Sequence, residues 1–340
     1  MTESGPPRAA NIFDVARLAG VSHQTVSRVI NNVPSVRSAT RIRVEQAIAQ
    51  LRYSPSPAAR ALVTRRTRTI GLITSGAVEY GPASITMNFI MAARAARFSV
   101  DTVNVPGSDP VDVRAAIESV VRQRVDAVVL VVSNVAELGV VLALEAGVPI
   151  IVVAATAGRA GPLTVSIDQY RGARMAVRHL LELGHTDVFH LAGPSQSPDA
   201  VERIRGWRDE LLESRIAVRE HANGDWTARS GYDLGLRLAE IDRGAAVFVA
   251  NDYMALGLIA ALAERGLRVP DDVSIVGFDD VPEASYFMPP LTTVRQDFAA
   301  LGGLIMQKVL IALEDPDDTS VSTPLPTTLI LRSSSVAARG

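Results

Sequence analysis

Apolar residues in the first fifty positions recur with the period of an α-helix. Ile12, Val15, Ala16 and Ala19 fall at i, i+3, i+4 and i+7, which puts them on one face. Asn11 is placed to cap that helix, with Asp14 three residues on as its capping-box partner. Gly20 ends it, because glycine enters the left-handed C-cap conformation at little cost. Ser22 then caps a second helix whose inward stripe is Val26, Val29 and Ile30. Val44, Ala47, Ile48 and Leu51 form the apolar face of a third. Helix, tight glycine turn, helix and supporting helix is the helix-turn-helix arrangement.

From Ile70 the period changes. Short apolar runs at 70–73, 126–132, 148–153, 187–193, 245–249 and 273–277 alternate with segments that suit helices, such as 85–97, 136–147, 171–183 and 199–213. Such alternation predicts parallel, doubly wound sheets. The strands are too many for one small sheet, so the body divides near residue 167 into two α/β halves. Ligands in such sheets bind beyond the carboxyl ends of the strands, and two facing halves leave a cleft between them. The expected fold class is an N-terminal all-α helix-turn-helix head on an α/β body of two doubly wound parallel-sheet subdomains. The expected boundaries are a disordered tail over 1–10, the head over 11–55 and a hinge helix with linker over 56–68. The first subdomain takes 69–167 plus 295–325, and the second takes 168–294 plus 326–340.

Charge sharpens this division. The net charge of −2 hides a basic head, with eleven Arg, no Lys and three acids in residues 1–70, and an acidic remainder of net −10. A basic head on an acidic body suits a head that meets a polyanion. The outward face of the second helix carries Gln24, Ser27, Arg28 and Asn31, with His23 at its N-terminal corner. Gln bonds adenine and Arg bonds guanine bidentately, and the hydroxyls of Ser22, Thr25 and Ser27 suit phosphate oxygens. The alternative is an ordinary solvated helix face. The turn, the hydroxyl cluster and the basic head together favour the DNA-reading one.

The run Phe13-Asp14-Val15-Ala16-Arg17-Leu18-Ala19-Gly20-Val21-Ser22, followed by Gln24-Thr25-Val26-Ser27-Arg28-Val29-Ile30-Asn31, resembles the head of the lac-repressor/galactose-repressor family of transcription regulators. The similarity continues through Gly184-His185, Arg203…Gly206-Trp207, Gly224-Asp225-Trp226, Asn251-Asp252, Gly277-Phe278-Asp279-Asp280 and 289–298, covering residues 11 to about 332. The resemblance implies a repressor that binds a double-stranded, pseudo-palindromic operator as a homodimer and is released by a small sugar-type effector. Purine-sensing, co-repressed relatives keep the other direction of response open. It also implies that His23, Gln24 and Arg28 read bases, with Tyr53 among the DNA contacts. The segment 56–63 matches the family's hinge helix, which makes Leu62 a minor-groove wedge and Ala59 a close-approach residue. From the residues alone that segment is equally a plain linker.

For the cleft, the resemblance implies that Arg203, Asn251 and Asp279 bond sugar hydroxyls and that Trp226 stacks on the ring. Ser75, Asp199 and Phe298 fall at further effector positions. Helix capping for Asn251 and a turn for Asp279-Asp280 are the plain alternatives. Two positions depart from the family's lactose-sensing branch. Val131 stands where that branch has an amide, and Ala154 where it has an acid, so the first wall of the cleft is less polar.

Other classes are disfavoured. The chain has no Cys, hence no disulfide, thiolate or Cys-based zinc site. His179, Glu182 and His185 are spread around a helix, and no Walker loop, Gly-x-Ser-x-Gly elbow or metalloprotease motif occurs. No catalytic residue, metal or cofactor is expected. A solute-binding protein would share the periplasmic-binding-protein-like body but carry an export signal and no DNA-reading head. Met1–Pro7 does not read as such a signal, and the apolar run 127–132 is too short to span a bilayer, so a soluble, cytoplasmic protein without a membrane partner is expected. Nothing heptad-like follows Arg332, which suits a dimer.

Overall fold

The computed structural model describes residues 10–30, 33–53, 66–76, 79–107, 109–155, 163–237, 241 and 243–338. The chain forms two compact units, Met1–Thr67 and Arg68–Gly340. The predicted tail lies almost wholly outside the described residues, as do Asn31, Ala59 and Leu62.

The head has three helices, α1 (Ile12–Ala19), α2 (His23–Ile30) and α3 (Ser38–Leu51). Its first cap is reciprocal. Asn11 Oδ1 accepts from the amides of Phe13 at 2.9 Å and Asp14 at 3.1 Å, and Asp14 Oδ2 accepts from the Asn11 amide at 3.0 Å. Gly20 adopts φ 64°, the left-handed cap. Ser22 Oγ accepts from the Thr25 amide at 3.2 Å and starts α2. Val15, Ala16, Ala19, Val26, Val29, Val44 and Ala47 close the core. Arg41 donates to the Val33 carbonyl at 3.2 Å, placing a guanidinium at the carbonyl end of α2.

The body begins with β1 (Thr69–Ser75), α4 (Tyr80–Ala95), β2 (Ser99–Val105), α5 (Pro110–Arg122), β3 (Ala127–Val131), α6 (Val135–Ala143), β4 (Ile150–Val153) and β5 (Thr164–Val165). These strands form one parallel sheet in the order β2-β1-β3-β4-β5. The second lobe contains α7 (Gln169–Glu182), β6 (Val188–Ala192), α8 (Pro198–Glu213), β7 (Ala222–Asn223), α9 (Ala228–Arg237), β8 (Ala245–Val249), α10 (Asp252–Glu264), β9 (Val273–Asp279) and β10 (Thr292–Arg295). The chain then returns to the first lobe as α11 (Phe298–Glu314), which packs against α4, and ends in the second sheet as β11 (Thr328–Ile330). That sheet runs β11-β10-β9-β8-β6-β7, and β11 is its antiparallel edge. Arg295 pairs with Asp279 in the second sheet, so the crossing falls just after it rather than before it as the expected boundary had it.

Two fully buried strand sets, 127–131 and 245–249, read as continuous apolar runs because helices cover both faces of each sheet. β2 has a mixed pattern, as suits an edge strand, and carries no such run. In the second lobe α9 and α10 approach so closely that only glycine fits. A Cβ on Gly257 would lie 1.8 Å from the Ala228 carbonyl oxygen, and one on Gly231 would lie 2.1 Å from that of Met254. The lobes touch at the cleft edge, where the Val135 amide donates to the Gln196 carbonyl at 3.0 Å and Asn134 Nδ2 to Gln196 Oε1 at 3.1 Å.

Candidate functional site

Two sites emerge, one on each compact unit. On the head, the core takes Val26 and Val29, which turns the other face of α2 outward. Ser22, His23, Gln24 and Arg28 are exposed, while Thr25 and Ser27 are half-buried beneath them. Ser22 and Thr25 hydroxyls are 3.0 Å apart at the helix start. The His23 ring lies 5.2 Å from that of Phe13, so a residue of α1 supports the first outward side chain of α2. Tyr53 packs against the head core after α3.

On the body, an open cleft of about 780 Å³ lies between the lobes at the carboxyl ends of the strands. Asp199, Arg203, Trp226, Asn251, Asp279 and Phe298 all line it. Arg203 is the centre of its second-lobe wall. Its guanidinium packs 3.8 Å from the Phe278 ring centroid and 5.3 Å from that of Trp226. Arg203 Nε donates to Gln169 Oε1 at 2.9 Å, Nη1 donates to the Ala250 carbonyl, and Nη2 stands 3.5 Å from Asp279 Oδ1. Gln169 Nε2 donates to Gln296 Oε1 at 2.7 Å, and Gln296 Nε2 donates to Asp279 Oδ1 at 2.7 Å. The four side chains close a buried ring, and its two amides sit where the chain crosses between lobes.

Local backbone positions these groups. Asp279 has φ 111° and Asp280 φ 53°, a left-handed pair at the end of β9 that separates two carboxylates. Asp279 enters the cleft, whereas Asp280 accepts from Arg295 and Arg332, each at 2.6 Å. Burial lifts the Asp279 carboxyl to about 6, against the opposing pull of Arg203 and Gln296. Burial likewise raises Asp199, and Arg203 opposes the rise. Asn251 does cap α10, its Oδ1 accepting from the Met254 amide at 2.9 Å, while its Nδ2 donates to the Trp226 carbonyl at 3.0 Å. Capping and cleft position therefore coincide, with the second amide hydrogen of Asn251 left over. The Trp226 indole covers Gly193, where a Cβ would meet it at 2.3 Å. Asp252, wholly buried, is pushed well above the carboxylate range by burial. It accepts from Val281 N at 2.9 Å and Thr293 Oγ1 at 2.5 Å, and so ties the loop and strand after β9 to α10.

Apart from Glu79, Ser133 and Ser166, the first-lobe wall is apolar, formed largely by Ile85, Val131, Val153, Ala154, Phe298 and Leu301. Ser75 lies outside the main cleft, in a neighbouring hollow that shares Glu79, Ser133 and Trp226 with it, and a buried acid engages its hydroxyl. Its hydroxyl sits 2.8 Å from both oxygens of Glu137, which also accepts from Ser133 Oγ at 3.1 Å. Glu79, Gln169 and Gln296 line the cleft without having been singled out by sequence reasoning. Gln169 is the first residue of α7 and Gln296 precedes the capping Asp297, both in stretches that read as connections, and Glu79 stands ahead of the apolar pattern of α4. His179 and His185 face separate partners, Ser335 Oγ at 2.9 Å and Ser274 Oγ at 3.0 Å.

The family model of bacterial regulatory proteins, lacI family, matches residues 11–56, and that of the periplasmic binding protein-like domain matches 177–335. The lactose operon repressor of Escherichia coli (strain K12) is 34% identical over 337 residues, covering 97% of this chain and 92% of that protein. The chain belongs to the lacI family. It is a transcriptional regulator of that family, and its relatives include the HTH-type transcriptional repressor PurR of Vibrio campbellii, 32% identical over 321 residues, 91% of this chain and 93% of that protein. Among solved structures, the lac repressor dimer bound to operator and the anti-inducer ONPF superposes with TM-score 0.86 at 33% identity, covering 97% of this chain and all of that one. A complex of the transcriptional regulator CelR with cellobiose gives TM-score 0.70 at 32% identity, covering 96% and 99%. No helix among the described residues is long and apolar enough to cross a membrane.

Within this lacI-family cleft, Glu79 stands out electrostatically. Burial, then the like charges of Asp279 and Asp225, raise its carboxyl to about 7. Between pH 4.5 and 7 the folded protein holds a proton here that the unfolded chain has released, so this group's contribution to stability falls as pH rises through that window. Replacing Glu79 with Gln should raise the melting temperature at pH 8 by about 2–4 °C, for about 1 kcal/mol regained after solvent screening, and leave it unchanged at pH 4.5. An equal shift at both pH values would show that ionisation is not the cause.

Proposed function

We propose that the protein is a cytoplasmic repressor, not an enzyme. In this reading it binds a pseudo-palindromic operator as a homodimer and releases it when a small carbohydrate enters the cleft. The observation that carries the reading is the pairing of an outward, basic recognition helix on a lacI-family head with an Arg203–Asp279–Trp226 wall suited to a polyol. Carboxylates, amides and guanidinium bond hydroxyls, and an indole covers the apolar face of a sugar ring. His23, Gln24 and Arg28 read base edges in the major groove, and Ser22, Thr25 and Ser27 hold phosphates. Asn31 and Tyr53 flank that surface. Leu62 and Ala59 act at the centre of the operator as the hinge wedge and its close-approach neighbour. Two exposed patches on the body, Met87 with Met91 and Tyr286 with Met288, offer apolar area for pairing.

The test begins by selecting an operator from random duplex DNA with the full chain, followed by titration. Gln24→Ala should cost about 1–3 kcal/mol at one base position and spare the others. A uniform loss across sequences would make Gln24 a backbone contact. A mono- or disaccharide should then lower operator affinity. A purine that instead tightens operator binding would establish the co-repressed reading, which the similarity to purine repressors supports.

A further inference from the structure

In the cleft, the charged groups do not balance. Glu79, Asp199 and Asp279 line it, and Arg203 is the one cation among the described lining residues. That guanidinium is committed to Asp279, to Gln169 and to a backbone carbonyl. Glu79 stands at the N-terminus of α4 but makes no capping hydrogen bond, and no described side chain pairs with it. Its electrostatic neighbours, Asp279 and Asp225, are both acids. The first-lobe wall around it is otherwise uncharged, aliphatic and aromatic apart from Ser133 and Ser166, so among the described lining residues Glu79 is the one charged group the first lobe presents to the cleft. Ala154, just after β4, supplies no carboxylate, and the acid of this wall stands instead at the start of α4.

We propose that Glu79 is a specificity-determining residue and that the effector is an amino sugar whose protonated amine it receives. A half-buried carboxylate surrounded by acids is costly to ionise unless a cation arrives with the ligand. An ammonium placed there relieves the repulsion from Asp279 and Asp225, while the sugar's hydroxyls meet Arg203, Asn251 and Asp279. The same field turns away uronates and sugar phosphates. This inference rests on the carbohydrate reading of the cleft, and its test distinguishes the two.

The experiment is calorimetric titration of the full chain with D-glucosamine, D-galactosamine and chitosan disaccharide. Each is run beside its N-acetyl form and its hydroxyl counterpart, cellobiose serving for the disaccharide, with hypoxanthine and guanine in parallel. At least one amine should bind roughly tenfold or more tightly than both neutral forms, the scale of a partly screened ion pair. Glu79→Gln should bring that ratio close to one, and Glu79→Asp should restore part of it. A neutral sugar binding as tightly as its amine, or a preference that survives Glu79→Gln, overturns the role of Glu79 and leaves the carbohydrate reading standing. Binding of a purine with no sugar bound overturns both. No amine bound at millimolar concentration overturns the amino-sugar assignment.

Discussion

Replacing Arg203 with Leu should destabilise the body by about 3–5 kcal/mol, the cost of breaking a buried ion pair from one side. The change leaves Gln169 Oε1 and the Ala250 carbonyl without a donor, and Asp279 without its nearest positive charge. Arg203 holds the Asp279 carboxyl down against burial, so its loss should drive that group further above about 6. The deficit is therefore greatest above neutrality and shrinks as the carboxyl takes a proton in acid. A second variant separates charge from packing. Arg203→Leu combined with Asp279→Leu removes both ends of the pair and should recover part of the loss, because two apolar groups make no uncompensated charge. Denaturant titrations of the single and double variants give the coupling. A double variant as unstable as the sum of its parts would sink the idea that the pair acts as one unit.

Gly257→Val should cost about 3 kcal/mol and lower the melting temperature by roughly 10 °C. A Cβ on Gly257 meets the Ala228 carbonyl oxygen at 1.8 Å and the Tyr232 nitrogen at 2.6 Å, backbone atoms that cannot turn aside. Helix α10 would have to withdraw from α9, and Asn251 at its N-terminus would move with it. Gly303→Ala is the control. Gly303 is exposed on α11 with open space at its Cβ, so alanine should leave stability unchanged or raise it by about 1 kcal/mol through helix propensity. If the two variants melt alike, close approach of α9 and α10 is not what requires glycine at 257.

The head was legible almost to the residue because its signals are local. Capping, glycine and a 3.6-residue period all lie within a few positions of what they specify. The buried strands were legible for the same reason, as unbroken apolar runs. β2 was not, since an edge strand reading Ser-Val-Asp-Thr-Val-Asn-Val carries polar residues that a buried run lacks. In the cleft, the residues at strand ends were found through motif resemblance, whereas the ring partners Gln169 and Gln296 were not. They lie 127 positions apart and meet only because the chain crosses between lobes there. Ser75 shows the opposite limit. Its position at the end of β1 was readable, but its engagement by Glu137 depends on how α6 turns, which no spacing in the sequence reveals.

The return of α11 to the first lobe also bears on synthesis. Phe298, Leu301, Ile305, Met306 and Val309 complete the apolar cluster that contains Ile70, Leu72, Val129 and Ile151. The ribosome finishes β5 at Val165 but does not supply that helix until every second-lobe strand except β11 has been made. At ~5–20 residues per second, the face of the first sheet that α4 covers only in part waits for its second helix for on the order of ten seconds. A nascent chain of this protein therefore carries an exposed apolar surface longer than a domain of contiguous sequence would. That interval, rather than the finished fold, is where chaperone dependence and aggregation on overexpression should originate.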